Sequence, residues 1–214
     1  MTILETQSAI DAVRQLHIEP IYINRSDEDG SNWIGLKHSH HFAELFYVTG
    51  GKGEFLAGDE RLSIKKNDIV IVNPNVDHTE VSDFRDRLEY FVIGIGGLSF
   101  TTDGEQIPYV RLRDPDKSIL LYLYKAFEEY EGKAEGWAEV CRHLLYVLIV
   151  LILRKKHVSI SSASTGNVQK EIAMVKNYID LHFKRNITLD LLAEEAHINK
   201  YYLSHAFKKA YGVS

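Results

Sequence analysis

A single cysteine, Cys141, gives this 214-residue chain no internal disulfide framework, as suits a reducing, cytoplasmic setting. The opening stretch MTILETQSAIDAVRQ has neither a basic start nor an apolar core, so no secretory leader is expected. Long hydrophobic runs are missing as well. The most apolar segment, Leu144 to Leu153 (LLYVLIVLIL), covers about 15 Å as a helix, roughly half of a bilayer core. That excludes a membrane span and leaves a buried or dimer-forming helix. Basic charge is not in excess either. The net charge is −5, within 26% charged and 45% hydrophobic residues, the balance of an ordinary soluble globular protein.

The charge is unevenly spread. From Val168 to Ser214 there are seven Lys plus Arg against five Asp plus Glu, leaving the rest of the chain at −7. This asymmetry puts any nucleic-acid contact at the carboxyl end. Lys200, Lys208 and Lys209 fall together there on one short predicted helix.

Hydrophobic periodicity divides the chain. After an arm over 1–20, the region 21–115 reads as short strands punctuated by turns. The glycines at Gly50, Gly51 and Gly53, the β-branched run Asp68 to Val72 ended by Pro74, and a further strand from Leu88 to Ile95 argue for a sandwich or small barrel. Gly94 to Gly97 reads as a turn closing that last strand. Over 116–158 the period becomes helical. One stripe runs through Ile119, Leu120, Leu123, Phe127 and Tyr130, and a second helix from Trp137 is apolar nearly all round. Such a helix needs cover on several sides, so this region is expected to pack on the barrel and to form a homodimer. Residues 159–167, SISSASTGN, read as a flexible linker.

The last unit, 168–214, starts with a helix carrying Ile172, Val175, Ile179 and Phe183 on one face. Thr188 is placed to cap a second helix, which buries Leu189, Leu192 and Ala193. After a turn at His197-Ile198, Asn199 caps a third helix from Lys200 to Tyr211, and Gly212 ends it. This is helix-turn-helix geometry. Leu203 and Phe207 anchor the last helix from behind. Lys200, Tyr201, Ser204, His205, Lys208 and Lys209 are left as the DNA-binding set, with polar side chains for base edges in the major groove and lysines for phosphates. A plain helical hairpin with a polar face would show the same periodicity.

The segment NITLDLLAEEAHINKYYLSHAFKKAYGVS resembles the first helix-turn-helix of the AraC/XylS family of transcription regulators. Ile187-Thr188-Leu189, Leu192-Ala193, Tyr202-Leu203-Ser204, Phe207-Lys208-Lys209 and Gly212 carry the likeness. The resemblance implies base reading at Tyr201, Ser204 and His205, with histidine standing where arginine is usual. It also implies a second such motif; the sequence stops just past the first, so a fragment of a longer regulator is expected, with RNA polymerase and promoter half-sites among its partners.

In the strand-rich region, His38, His40 and Glu44 of KHSHHFAE share parity on an extended strand, and His78 follows another strand. The four could enclose a divalent ion such as Zn, Ni, Fe or Mn. This pattern is similar to the two cupin motifs, although the Pro74–His78 interval is one residue shorter. It implies a jelly-roll barrel. In cupin enzymes such residues hold a catalytic metal; in the sensing domains of AraC-type regulators a similar set lines an effector pocket and no cofactor is required. The expected pocket is Trp33, His38, His40, Glu44, His78 and Tyr90. The expected architecture is α+β and multi-domain: a cupin-type barrel, a helical dimerisation region, then an all-α helix-turn-helix unit. The expected function is regulation of transcription in response to a small molecule, for which the family resemblance implies a sugar, with no catalytic residues. The alternative is a metal-dependent cupin enzyme, an isomerase or dioxygenase.

Overall fold

The computed structural model describes residues 11, 13–26, 37–156, 158–163 and 170–213. Trp33, the first ten residues of the expected arm and much of the expected linker lie outside them. Strands β1 (Glu19–Arg25), β2 (Ala43–Gly50), β3 (Lys52–Ala57), β4 (Glu60–Lys65), β5 (Asp68–Val72), β6 (His78–Ser82), β7 (Glu89–Gly96), β8 (Leu98–Thr102), β9 (Glu105–Gln106) and β10 (Tyr109–Arg113) precede helices α1 (Ser118–Gly132) and α2 (Trp137–Lys155). A short strand β11 (Ser159–Ser162) then leads to α3 (Lys170–His182), α4 (Leu189–Glu195) and α5 (Lys200–Tyr211).

The strands pair as a five-stranded sheet in the order β1-β7-β2-β5-β10 and two three-stranded sheets, β4-β3-β6 and β11-β8-β9. The named pairings are antiparallel. Alternation decides what each face of the large sheet meets. Leu45, Tyr47, Ile69, Ile71, Phe91 and Ile93 share a core with Leu123, Leu145, Leu148 and Ile152 of the helical pair. Their neighbours Phe46, Val48, Val70, Val72 and Val92 instead pack with Phe55, Leu62 and Ile64 of the facing small sheet. Burial on both faces explains why the β5 sequence DIVIV is continuously apolar rather than alternating. The region is thus the β-rich half of a mixed α and β chain.

Asp114 ties the sheet to the helices. It is fully buried, and its Oδ2 accepts from the backbone N–H groups of Ile119 and Leu120 at 2.9 and 3.1 Å. The Tyr47 hydroxyl donates to it from β2, and Lys155 at the end of α2 lies 3.2 Å away. A carboxylate at a helix N-terminus satisfies orphan amides and complements the helix dipole.

Three expectations need correction. Ser159–Ser162 is not linker: it pairs with β8, anchored by buried Ile160. The Gly94–Gly97 stretch is not a turn as a whole, because β7 runs to Gly96 and only Gly97 adopts a positive φ of 89°. Phe183 and Leu189 are 44% and 43% exposed rather than buried. Phe183 falls beyond the end of α3, and α4 is a helix of seven residues that buries only Leu192 and Ala193.

Candidate functional site

His38 and His78 form the hinge of the barrel site. They exchange backbone hydrogen bonds at 3.0 and 2.8 Å as an isolated antiparallel bridge. The expected common strand for His38, His40 and Glu44 is not formed, since β2 begins only at Ala43. The bridge does the same work by holding the His38 segment against β6. Donor atoms of His38, His40, Glu44 and His78 all lie within 4.8 Å of one another, so the short Pro74–His78 interval does not carry His78 away. His41, of opposite parity, turns aside to hydrogen-bond Asn75 at 2.8 Å.

The electrostatics of the cluster are polarised. Glu44 is buried, with Oε2 at 2.8 Å from His78 Nε2 and Oε1 at 3.6 Å from His40 Nε2. Burial opposes its ionisation, but in the acid range where it titrates both neighbouring imidazoles are charged, and the charge of His40 with the hydrogen bond and charge of His78 outweighs burial and holds the carboxyl well below its ordinary range. His78 also places Nδ1 at 2.8 Å from the Val76 carbonyl. Burial disfavours its charged form, yet the hydrogen bond and charge of Glu44 prevail and raise its pKa. With an acceptor at each nitrogen, His78 is arranged to donate from both as an imidazolium. His40 is the reverse: burial lowers it to about 3, its ring stacks on Phe42 at 4.7 Å, and its Nε2 is buried with no hydrogen-bond partner. A neutral, unpartnered imidazole nitrogen beside a carboxylate suits an incoming hydrogen-bond donor or a metal ion.

Further polar groups line the same interior. Tyr90, expected in the pocket, is buried, donates to Glu80 Oε1 at 2.8 Å and lies 4.1 Å from the Phe46 ring. Burial pushes Glu80 up to about 8, against the opposing hydrogen bond from Tyr90. The Tyr22 hydroxyl donates to Glu44 Oε1. Sequence reading missed Glu80 and Tyr22. Glu80 was findable, being two residues from His78 on β6 and therefore on the same face. Tyr22 depends on an irregularity between Pro20 and Tyr22 in the β1–β7 register, a β-bulge that re-aims a side chain.

At the other end, α4 and α5 form the second candidate site. Thr188 Oγ1 accepts from the Leu191 N–H at 3.2 Å, and Asn199 Oδ1 accepts from Tyr201 and Tyr202 at 2.9 and 3.4 Å. Gly212 closes α5 with a φ of 75°. Leu203 is 1% exposed behind the helix, whereas Tyr201 is 72% exposed. His205, Lys208 and Lys209 are exposed, and Ser204 is half-buried. Lys200 is also half-buried and pairs with Asp190 of α4 at 2.8 Å. Phe207 is only partly buried, against Tyr211 at 4.8 Å.

Comparison with known proteins gives three findings. The family model described as AraC-like ligand binding domain matches residues 22–149. An HTH-type transcriptional regulator of Bacillus subtilis, YbfI, is 26% identical over 83% of this chain and 66% of its own length. The lactose operon transcription activator of Staphylococcus xylosus is 22% identical over 79% of this chain and 63% of its own. The chain therefore spans just under two thirds of these curated relatives. Among solved structures, apo ToxT from Vibrio cholerae aligns at 12% identity over 93% of this chain and 75% of that one, with a TM-score of 0.45, too loose a likeness to argue from.

Proposed function

Starting from the fact that the chain belongs to the AraC-like ligand binding domain family, we propose that it is a transcription regulator whose barrel receives a small polar molecule and whose α4–α5 pair reads DNA. The observation that carries this is the outward face of α5: Tyr201 exposed, with His205, Lys208 and Lys209 beside it, on a helix held from behind by buried Leu203. In a major groove, Tyr201, Ser204 and His205 meet base edges and Lys208 and Lys209 meet phosphates. Lys200 contributes only by giving up Asp190, an exposed pair of small worth. Cytoplasmic promoter half-sites and RNA polymerase are the partners this role implies.

The test is binding of the chain to duplex DNA from upstream of its own gene, against a scrambled duplex, across a salt series. Replacing Tyr201, Ser204 and His205 together with alanine should abolish the preference. Replacing Lys208 and Lys209 with alanine should weaken binding to both duplexes and flatten the salt dependence. Equal binding of both duplexes by the native protein refutes the proposal.

In the barrel, His38, His40, Glu44 and, once it gives up the proton on Nε2, His78 fit a divalent ion such as Zn, Ni, Fe or Mn: three imidazoles and a carboxylate close together, one nitrogen buried without a partner. A bound ion would supply a Lewis acid to an effector's oxygen atoms. The protein's own residues would orient that effector through Glu80 and Tyr90 and exclude water with Phe46 and Phe55. The same donor set favours a second reading, a metal-dependent enzyme, which needs a stoichiometric metal whose removal abolishes turnover.

The helical pair fits the homodimer. Val140, Leu144, Val147 and Leu151 recur on α2 at spacings of four, three and four, exposed or half-exposed although apolar, and Leu121 on α1 is 58% exposed. That spacing is a coiled-coil seam, and a two-fold dimer matches paired half-sites. Among the described residues no helix is long and apolar enough to cross a membrane.

A further inference from the structure

Strand β1 is the edge of the five-stranded sheet, and its outer side meets the helix-turn-helix unit rather than solvent. Asn24 Nδ2 donates to Asn177 Oδ1 on α3 at 3.0 Å, and Lys170 at the start of α3 lies 3.1 Å from Glu19. Between these two contacts stands Tyr22, 2% exposed. Its hydroxyl donates to Glu44 in the barrel, and its ring meets Phe42 edge-on at 5.7 Å and His40 at 6.4 Å. On its other side Tyr22 borders a cavity of about 300 Å³ shared with Met174, Asn177 and Tyr178 of α3, Leu192 of α4 and, at the end of α1, Tyr130 and Glu131. No other side chain described above both binds a member of the His/Glu cluster and lines the contact with the DNA-reading unit.

Two features make this placement specific. The bulge between Pro20 and Tyr22 lets both Ile21 and Tyr22 join the barrel-side core, breaking the alternation that would have turned one of them away. Gly94 on β7 leaves room for the ring: a Cβ there would stand 3.0 Å from Tyr22 Cε1 and 2.9 Å from Phe42 Cε2.

We infer that Tyr22 is the positioning residue through which the state of Glu44 is passed to α3 of the helix-turn-helix unit. The inference rests on the reading of the His/Glu cluster as the ligand-receiving site. Oε1 of Glu44 is the atom Tyr22 uses and also the atom nearest His40 Nε2. A cation or ligand donor entering beside His40 therefore competes with the Tyr22 hydroxyl for Oε1. A buried hydroxyl stripped of its acceptor is costly, and the adjoining cavity, with Asn24, Asn177 and Glu195 on its walls, is where the ring can turn to find another. That movement presses on the α3 surface held by the Asn24–Asn177 bond.

The experiment is amide hydrogen exchange on the chain as it stands, comparing native protein, Tyr22→Phe, Glu44→Gln and the double variant. Glu44→Gln is expected to change exchange across 170–182 by about tenfold, and by less than about twofold once Tyr22 is already phenylalanine. Exchange in β5 and β10, which carry none of the cluster residues, serves as the reference for barrel integrity. Zinc chloride added to native protein should reproduce the α3 change, and Tyr22→Phe should bind zinc yet not transmit it. Additive effects, or an α3 that ignores Glu44→Gln while the barrel stays folded, overturn the inference. Should Glu44→Gln fail to fold, Tyr22→Phe alone decides: altered exchange over 170–182 with an unchanged barrel supports coupling, and unaltered exchange refutes it. Because no DNA is present, failure of the regulator reading shows up separately, in the duplex-binding test.

Discussion

Replacing His40 with leucine should make the metal-free protein no less stable, and even somewhat more so, while destroying its ability to take a ligand. At neutral pH the His40 ring is uncharged, its pKa having been lowered by burial to about 3. The 3.6 Å approach to Glu44 is therefore not an ion pair worth preserving. What the residue contributes in its place is a buried Nε2 without a partner, a penalty of about 1–3 kcal/mol. Leucine removes that penalty and forfeits the stacking on Phe42, worth about 0.5–1.5 kcal/mol. The net expectation is a gain of about 1 kcal/mol. Glu44 keeps its hydrogen bonds from Tyr22 and His78, so no second group is orphaned. The assay is urea unfolding at pH 7.5 with a chelator present, read as a shift of the midpoint at constant slope. A parallel series with zinc at a hundredfold its dissociation constant should stabilise native protein by about 2.7 kcal/mol and leave His40→Leu unmoved. A chelated variant more than about 1 kcal/mol less stable than native would mean that His40 is a structural residue, and the reasoning would fall.

Two further outcomes follow from single residues. Burial raises Glu80 to about 8 from an ordinary 4.5, so between those values the folded state holds a proton that the unfolded chain has released. Its contribution is complete below about pH 4.5 and lost as pH rises through about 8, a decline on the order of a few kcal/mol. The urea midpoint should fall across that window in native protein and flatten in Glu80→Gln, which still accepts from Tyr90; a flat native profile contradicts the assignment. His197 occupies the turn before α5 with a φ of 53°, a left-handed conformation that costs a side-chain-bearing residue roughly 1 kcal/mol. His197→Gly should raise the melting temperature of the helix-turn-helix unit, and a lowered one would show that the imidazole makes a stabilising contact.

The parts of the fold governed by local rules were legible in the sequence. Thr188, Asn199 and Gly212 cap their helices as expected, because a cap needs only its own next few amides. Leu203 is buried because helical spacing leaves it no alternative. Parity singled out His38, His40 and Glu44, and the similarity to the cupin motifs added His78; the strand assumed for the first three does not exist, and the His38–His78 bridge brings the four together by pairing across the barrel. Where partners are distant in sequence the reading ran out. Ser159–Ser162 looks like linker by composition because β11 owes its place to backbone pairing with β8 and to one apolar residue, Ile160. Tyr22 is one tyrosine among twelve until the bulge in β1 sets it between Glu44 and α3. Asp114 has a nondescript sequence context, yet it collects bonds from β2, α1 and α2.

The five-stranded sheet constrains how any signal can travel. One of its faces is fused by Leu45, Ile71, Phe91 and Ile93 to the α1–α2 pair, and Asp114 pins those helices to β2 from inside. Close-packed cores of this kind do not deform gradually, so the barrel and the proposed dimer seam behave as one body. Across that face a ligand entering beside Glu44 could reshape the proposed dimer seam only by disturbing the core, although Tyr130 and Glu131 of α1 do border the cavity beside Tyr22. The helix-turn-helix unit also shares an apolar core with the barrel, Ile172, Val175 and Leu192 joining Ile21, Tyr22 and Phe42, but its contact adds an amide pair at Asn24–Asn177, an ion pair at Lys170–Glu19 and a cavity beside Tyr22. A contact that includes polar pairs and an unfilled cavity can repack there more readily than a filled core, and that is where a small difference in ligand affinity between two states has leverage. If the chain regulates transcription as proposed, the ligand is expected to act on how the helix-turn-helix unit is presented, with the proposed dimer seam little changed.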